Sequence, residues 1–190
     1  MKDALRNEYE RNYRDATIYN EHVAEVNDLC RKLWSNIDRY RDVSKICNVP
    51  AVVIGSLHMR ESDFNFGTHL FNGDPLTGRT VHEPIGQPER DPENGTSYTW
   101  EEGAIAALSY HIREWNIVVD CEWRLSDALY FCETYNGWGY RKFGINSPYL
   151  WSYTDKYDTG YFTADGKFDS HIVNQQSGCA PIFKMLGFNS

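Results

Sequence analysis

Apolar residues recur at helical spacing in several stretches of the chain. Between Asn20 and Tyr40 they fall at steps of three and four residues, which is typical of an amphipathic helix. They are Val23, Val26, Cys30, Leu33 and Ile37. Charged residues fill the opposite face, so this helix is expected to support one side of a helical bundle. The charge-rich residues 1–14 before it, with Tyr9 and Tyr13, are typical of a further helix or an arm.

A second helix is predicted from Pro50 to Glu61. Proline costs no hydrogen bond in a first helical turn, and Val53, Ile54 and Leu57 then recur at helical spacing. Four residues after Leu57, the same face reaches Glu61. This glutamate is therefore expected where an apolar helix gives way to a polar loop. The alternative interpretation is that Glu61 is an ordinary helix residue. Its position would then be unusual, because the helix dipole disfavours an acid at this end of a helix.

Two further helices are predicted downstream. Thr99-Trp-Glu-Glu102 is a capping-box signal that opens a helix rich in small residues, running through His111. Another helix is expected from about Asp120 to Asn136, where Gly137 predicts a left-handed cap. Its expected buried side chains are Trp123, Leu125, Leu129 and Cys132.

Residues 62–97 lack helical spacing and are rich in Gly, Pro, Asn and Asp, so they form a long turn-rich excursion. Long ordered loops are often functional. Because this one starts directly after Glu61, it is expected to form one wall of a cleft, with Asp74, Thr80 or Glu83 near the acid. The chain after Gly137 is aromatic and turn-rich, and Asp165-Gly166 is a turn signal.

These patterns predict a mainly α (α+β) fold in which the turn-rich excursion is able to form a small β-hairpin. The 190 residues suffice for one domain that buries about 70% of its unfolded surface, and no Gly-, Pro- or Ser-rich linker divides them. We expect a single domain over 1–190, with 1–45 as N-terminal helical support and 46–170 as the catalytic core. The first residues carry no signal peptide or membrane span, so synthesis in the host cytoplasm is expected.

Charge and cysteine content narrow the classes of function. The formal charge of −8 argues against nucleic acid, which requires clustered Lys and Arg. Five cysteines without paired metal-ligand spacing predict reduced, mostly buried thiols and no metal site. They are Cys30, Cys47, Cys121, Cys132 and Cys179.

The position of Glu61 points to a reaction. A low-dielectric wall disfavours the charged form of a half-buried carboxyl group. Such a group keeps its proton near neutral pH and can act as a general acid towards a glycosidic oxygen. The residues therefore favour cleavage of a sugar chain.

Two short motifs give this hypothesis a family context. Glu61-Ser62 and Tyr135-Asn136-Gly137 together resemble the lysozyme superfamily, particularly the goose-type lysozymes and lytic transglycosylases, in which the same motifs occur in the same order. Residues 60–80 are also similar to lysozyme-like proteins of phages and their bacterial relatives. The resemblance extends from about residue 50 to about residue 169. Trp138 departs from it, because many transglycosylases carry a small residue there.

The resemblance implies a lysozyme-like fold and a peptidoglycan-degrading enzyme that needs no cofactor. The expected reaction is cleavage of the β-1,4 bond between N-acetylmuramic acid and N-acetylglucosamine, as a muramidase or a lytic transglycosylase, in phage lysis or wall penetration. Glu61 is then the catalytic acid, and Tyr135, Asn136 and Gly137 line the sugar site. The expected partners are glycan strands and a virion or pore-forming protein that gives access to the wall, rather than nucleic acid or a membrane.

A second catalytic group is less clearly indicated. Many glycosidases use two carboxyl groups, and Asp74 is the first candidate, followed by Glu83 and Asp63. The alternative for Asp74 is a turn-forming aspartate before Pro75. The goose-type resemblance implies no obvious nucleophile, so a positioned water or the substrate's own hydroxyl would complete the reaction.

Further substrate contacts are predicted at Ser62, Thr80, Tyr149 and Trp151. Tyr149 and Trp151 are chosen because Pro148 fixes the backbone beside them. For these two aromatic residues the alternative is that they cover a small core.

Three other functions stay open. A zinc-dependent wall peptidase would use ligands from His58, His69, Asp74 and His82, although no compact histidine motif occurs. A glycan-binding module or structural virion component could retain a lysozyme scaffold without catalysis. Chitin or chitosan would also suit the enzyme, because these polymers share the β-1,4-linked amino-sugar backbone.

Overall fold

The protein is mainly helical, as predicted. A computed structural model describes residues 2–119, 122–164 and 166–188, and within them the chain forms eight α-helices, two short 3-10 helices and one two-stranded antiparallel sheet. The α-helices are α1 (Asp3–Asp15), α2 (Val23–Ser35), α3 (Ile37–Cys47), α4 (Ala51–Ser62), α5 (Trp100–Glu114), α6 (Leu125–Asn136), α7 (Pro148–Trp151) and α8 (Cys179–Met185). The strands are β1 (Tyr161–Ala164) and β2 (Lys167–Asp169), and the 3-10 helices are Asn20–His22 and Gly139–Phe143.

The chain divides into two compact units. One, which we call the terminal unit, combines the chain up to Arg31 with the chain from Trp123 onwards; the other, the central unit, is Lys32–Glu122. Neither boundary coincides with the one expected near residue 45. That both units belong to a single domain stays a prediction.

In the central unit, α3 packs against both α4 and α5. All residues of α4 from Val53 to Met59 are buried, so this helix is the core element of the unit. Gly55 permits its close packing, because a Cβ atom there would lie 2.7 Å from Cγ of Leu33.

The single helix predicted over residues 20–40 is wrong, because the chain breaks between α2 and α3 at Asn36. The side-chain amide of Asn36 donates to the Lys32 carbonyl at 2.9 Å, and the Ser35 hydroxyl donates to the same carbonyl at 2.8 Å. Such side-chain bonds compete with the helical backbone pattern. The predicted apolar face is buried except at Val23, which is 40% exposed.

The α5 capping box is confirmed. Thr99 Oγ1 accepts from the Glu102 amide at 3.2 Å, and Glu102 Oε2 accepts from the Thr99 amide at 2.6 Å. In contrast, α6 begins later than predicted, at Leu125. Its first expected residues, Asp120 and Cys121, lie outside the described part of the chain. Leu129 and Cys132 are buried as expected, whereas Trp123 and Leu125 are only partly buried.

In the terminal unit, α1 packs on α6, and α6 packs on α7 and α8. The α1 tyrosines, Tyr9 and Tyr13, are both buried. The hairpin β1–β2 turns at Gly166, while Asp165, the other half of the predicted turn, lies outside the described residues. The sequence also allowed a small hairpin in the excursion after Glu61. There the described chain forms an isolated bridge between Thr68 and Pro75 instead of paired strands.

Four cysteines, Cys30, Cys47, Cys132 and Cys179, are buried free thiols, as predicted; Cys121 lies outside the described residues. Among the helices of the described chain, none combines the length and apolar character needed to cross a bilayer.

Candidate active site

Glu61 occupies the last turn of α4. Its residue is partly buried, because the helix that carries it is embedded in the central core up to Met59. Directly after Ser62 the chain reverses through two left-handed residues, Asp63 at φ 49° and Phe64 at φ 63°. The glutamate therefore stands at the junction between a core helix and the excursion, as the sequence predicts.

The excursion returns to the backbone of Glu61. A Cβ atom at Gly73 would lie 3.4 Å from the Glu61 carbonyl oxygen, and Gly73 has a φ of +79°, which favours glycine. The Gly73 amide also donates to the His69 carbonyl at 2.9 Å. The turn before Asp74 is thus held against the end of α4.

Ser62 is partly buried. Its hydroxyl donates to the His58 carbonyl at 3.4 Å, a long contact of the kind that serine makes within a helix. This agrees with local hydrogen bonding, and its contact with substrate stays a prediction.

Asp74 organises the excursion. Its carboxyl oxygens accept from the Val81 amide at 2.8 Å, from the His82 amide at 3.0 Å and from His82 Nδ1 at 2.7 Å. The His82 backbone contact contributes most, and together these contacts lower the pKa of Asp74 to about 2. The group is buried, at 6% exposure. Its hydrogen bonds therefore support the alternative of a turn-forming aspartate, while a catalytic role for Asp74 stays a prediction.

Thr80 closes the next turn of the excursion. Its hydroxyl donates to the Pro84 carbonyl at 2.5 Å and accepts from the Gln87 amide at 2.9 Å. The residue is 2% exposed. These bonds account for Thr80 as a structural residue, and contact with substrate stays a prediction. The other candidates for a second carboxyl group, Glu83 and Asp63, are exposed.

The three histidines of the zinc hypothesis have separate partners. Nδ1 of His58 contacts the Tyr40 hydroxyl at 3.0 Å, Nε2 of His69 contacts the Gly78 carbonyl at 2.8 Å, and His82 contacts Asp74. Across residues 2–119, 122–164 and 166–188, no three His, Cys, Asp or Glu side chains are arranged to hold a metal ion. The geometry thus offers the zinc peptidase no ligand set in this part of the chain.

His58 anchors the start of the excursion. Its ring lies 4.5 Å from the Phe66 ring and 4.6 Å from the Trp100 ring, between centroids, and its carbonyl accepts from the Phe64 amide. Burial is the main cause that lowers the pKa of His58 to about 4. The imidazole is therefore neutral at pH 7 and belongs to an aromatic core cluster.

The central unit also carries a groove of about 460 Å³ between the excursion and α5. Pro88 and Arg90 line one side, and Ile105, Ala106 and Tyr110 line the other. Glu61 is not part of this lining, so the groove does not correspond to the predicted catalytic cleft.

The second motif ends α6 in the terminal unit. Tyr135 is partly buried and Asn136 is exposed. Gly137 has φ 88° and ψ 168°, a conformation that only glycine adopts readily. The left-handed cap predicted at Gly137 is therefore wrong in detail, although glycine is needed there. Helix α6 ends at this point, and contact of the motif with sugar stays a prediction.

Tyr149 and Trp151 lie in the short helix α7 and are 3% and 2% exposed. Ser147 caps this helix through a 3.3 Å bond from the Tyr149 amide to its hydroxyl. Burial of both rings favours the alternative that they cover the core. In this conformation neither presents a surface on which a sugar could stack.

No protein-family model, curated protein or solved structure matches the chain significantly. The likeness to goose-type lysozymes therefore rests on the motifs themselves.

Sequence reasoning overlooked Glu133, Arg141 and Tyr9 as a group. Glu133 is 2% exposed and pairs with Arg141 and with the Tyr9 hydroxyl. The spacing of Tyr9 and Tyr13, four residues apart on a charged helix, indicates a buried face. Nothing in the local sequence identifies their partners.

Proposed function

We propose that this protein cleaves the β-1,4 bond between N-acetylmuramic acid and N-acetylglucosamine in peptidoglycan, with Glu61 as the general acid. The observation that carries the proposal is the place of Glu61: partly buried, in the last turn of a core helix, beside an ordered excursion. The resemblance of the two motifs to lysozymes supplies the substrate class and the setting in phage lysis or wall penetration.

Glu61 would donate its proton to the glycosidic oxygen as the bond to the anomeric carbon breaks. The oxocarbenium-like centre left behind must then be captured by an oxygen nucleophile. Capture by water gives a reducing end, and capture by the substrate's own hydroxyl gives an anhydro-sugar end; in either route the proton lost by that oxygen would return to the Glu61 carboxylate. Asp74 already accepts three hydrogen bonds, which favours a route that does not require it as a nucleophile.

Substitution of Glu61 by glutamine tests the acid directly. Glutamine keeps the size of the side chain but has no acidic proton, so turnover should fall by about 10²–10⁴. The assay is clearing of permeabilised bacterial cells together with mass spectrometry of the released muropeptides. Glu114→Gln is the matched control, because Glu114 is an exposed residue at the end of α5 and its loss should leave the rate unchanged.

A folded Glu61→Gln protein with nearly full activity would overturn the proposal. Binding to cell walls without clearing, in the wild type as well as the variant, would instead identify a non-catalytic glycan-binding module. The mass of the sugar ends separates hydrolysis from transglycosylation, because an anhydro end lacks one water.

A further inference from the structure

A buried polar cluster in the terminal unit joins the two ends of the segment that contains Tyr135, Asn136 and Gly137. We propose that Tyr9, Glu133 and Arg141, which we call the clamp, are positioning residues that hold this segment in the conformation that binds the glycan. This inference rests on the proposed function, since it assigns the segment to substrate.

The geometry of the clamp is direct. Arg141 Nη2 lies 2.7 Å from Glu133 Oε2, and the Tyr9 hydroxyl donates to the same carboxyl oxygen. Arg141 Nη1 lies 3.0 Å from Glu8 Oε1. One guanidinium group thus bridges α6 and the N-terminal helix α1.

The two paired residues lie on either side of the Tyr135-Asn136-Gly137 motif. Glu133 lies in α6, and Arg141 lies in the 3-10 helix Gly139–Phe143. Their bond ties the end of α6 to the 3-10 helix, and Gly137, whose backbone conformation favours glycine, lies midway between them. The Arg141 guanidinium carbon also lies 4.7 Å from the centre of the Trp138 ring, which fixes the residue that follows Gly137.

Burial makes the arrangement hard to replace. Glu133 is 2% exposed and Tyr9 is fully buried, and a buried charged group is strongly destabilising once its partner is removed. Burial and the neighbouring Glu133 raise the pKa of the Tyr9 hydroxyl, so this hydroxyl keeps its proton and donates. A surface loop held only by its own backbone would not need a tyrosine from a helix 124 positions away in the chain.

Tyr9→Phe is the decisive variant, because it deletes one hydroxyl and leaves the Arg141–Glu133 pair intact. Tyr13→Phe is the matched control on the same helix, where a buried tyrosine donates to the Phe188 carbonyl at 3.2 Å. Removal of Arg141 itself is avoided, since it would leave Glu133 buried without its charged partner.

Two measurements are made on the full-length protein. Hydrogen–deuterium exchange reports the order of residues 134–140 without any substrate, and steady-state kinetics on soluble peptidoglycan fragments separates KM from kcat. Tyr9→Phe should raise KM by up to about tenfold, the limit set by losing one hydrogen bond to a charged group, with kcat nearly unchanged. Exchange in 134–140 should accelerate by a similar factor, and Tyr13→Phe should change neither quantity.

The outcomes separate the two proposals. If the wild type cleaves the fragments and Tyr9→Phe behaves like Tyr13→Phe in both KM and exchange, the clamp is refuted and the proposed function stands. If the wild type leaves the fragments intact while Tyr9→Phe loosens only residues 134–140, the proposed function is refuted and the positioning role of the clamp stands. If Tyr9→Phe and Tyr13→Phe lose the same thermal stability, and exchange accelerates evenly throughout the terminal unit, the clamp is refuted as well. A merely structural contact acts in that way.

Discussion

The excursion after Glu61 and the segment 133–141, which joins the end of α6 to the 3-10 helix Gly139–Phe143, are held in different ways. In the excursion, Asp74 and Thr80 bind backbone groups seven or eight residues away. In the segment 133–141, Glu133 depends on a tyrosine 124 positions away. The first is stabilised by contacts within its own sequence, whereas the second combines a local ion pair, Glu133–Arg141, with a hydrogen bond from a distant helix.

The contrast shows which contacts can be inferred from a sequence. A contact between nearby residues in the chain uses residue types with known turn chemistry, such as aspartate and threonine. A contact between residues far apart in the chain depends on which helices pack together, and no local sequence pattern indicates that.

Acidification should weaken the central unit through His58. Its pKa in the folded protein is lowered to about 4, mainly by burial, from an ordinary 6.5. Between these values the unfolded chain binds a proton that the folded chain does not, so stability is complete above pH 6.5 and falls as the pH drops. The free energy of unfolding should decrease by about 3 kcal/mol by pH 4.

Urea unfolding of the wild type and of His58→Gln across this pH range measures that contribution. Glutamine does not titrate, so the free energy of unfolding of the variant should fall less steeply between pH 6.5 and pH 4 than that of the wild type, whatever its stability at pH 7. Identical slopes in the two proteins would contradict the prediction.

Asp74→Asn should loosen the excursion and leave the segment 133–141 ordered. The amide oxygen can still accept from the Val81 and His82 amides, but the NH2 group replaces the charged oxygen that faces His82 Nδ1, and the expected cost is about 2 kcal/mol. Because the pKa of Asp74 is lowered in the folded protein, the extra stability of the wild type over Asp74→Asn is present above about pH 4. This difference is lost as the pH falls towards 2.

Chemical unfolding and hydrogen exchange provide the readout for Asp74. Asp63→Asn is the control, because Asp63 is exposed and its contact with Lys32 spans 3.8 Å, so the change should stay within about 0.5 kcal/mol. Equal effects of the two substitutions would remove Asp74 from its organising role.

Thr80→Val should have the smallest effect on the same segment. Valine matches threonine in shape but cannot donate to Pro84 or accept from Gln87, which should cost about 1 kcal/mol. Thr96→Val, at an exposed position whose hydroxyl bonds only to Asn94 among described partners, should cost less. Thermal unfolding compares the two, and a reversed order would argue against a fastening at Thr80.

The sequence predicted those parts of the fold that depend on neighbouring residues. The core helix ending at Glu61 and the Thr99–Glu102 capping box were predicted because apolar spacing and cap residues lie close together in the chain. The break at Asn36 was missed because the helical spacing continues across it, while the bonds that interrupt it come from polar side chains.

The candidate site was predicted less completely. Pro148 favours Tyr149 and Trp151 as cleft residues, but a fixed backbone does not determine whether an aromatic ring faces a sugar or the core. Both rings are buried, which only the packing of the folded chain decides. Asp74 illustrates a related ambiguity, since one carboxyl group can serve catalysis or hold a turn. The pairing of Glu133 with Tyr9 could not be inferred, because it depends on the packing of α1 against α6.

The proposed function requires Glu61 to deliver a proton to the bridging oxygen of an amino-sugar chain. A crystal structure of Glu61→Gln with a bound peptidoglycan fragment tests it most directly. If Glu61 is the acid, the side chain of residue 61 should lie within about 3 Å of a glycosidic oxygen. A fragment bound elsewhere, such as in the groove beside α5, with residue 61 remote from every glycosidic bond, would contradict it.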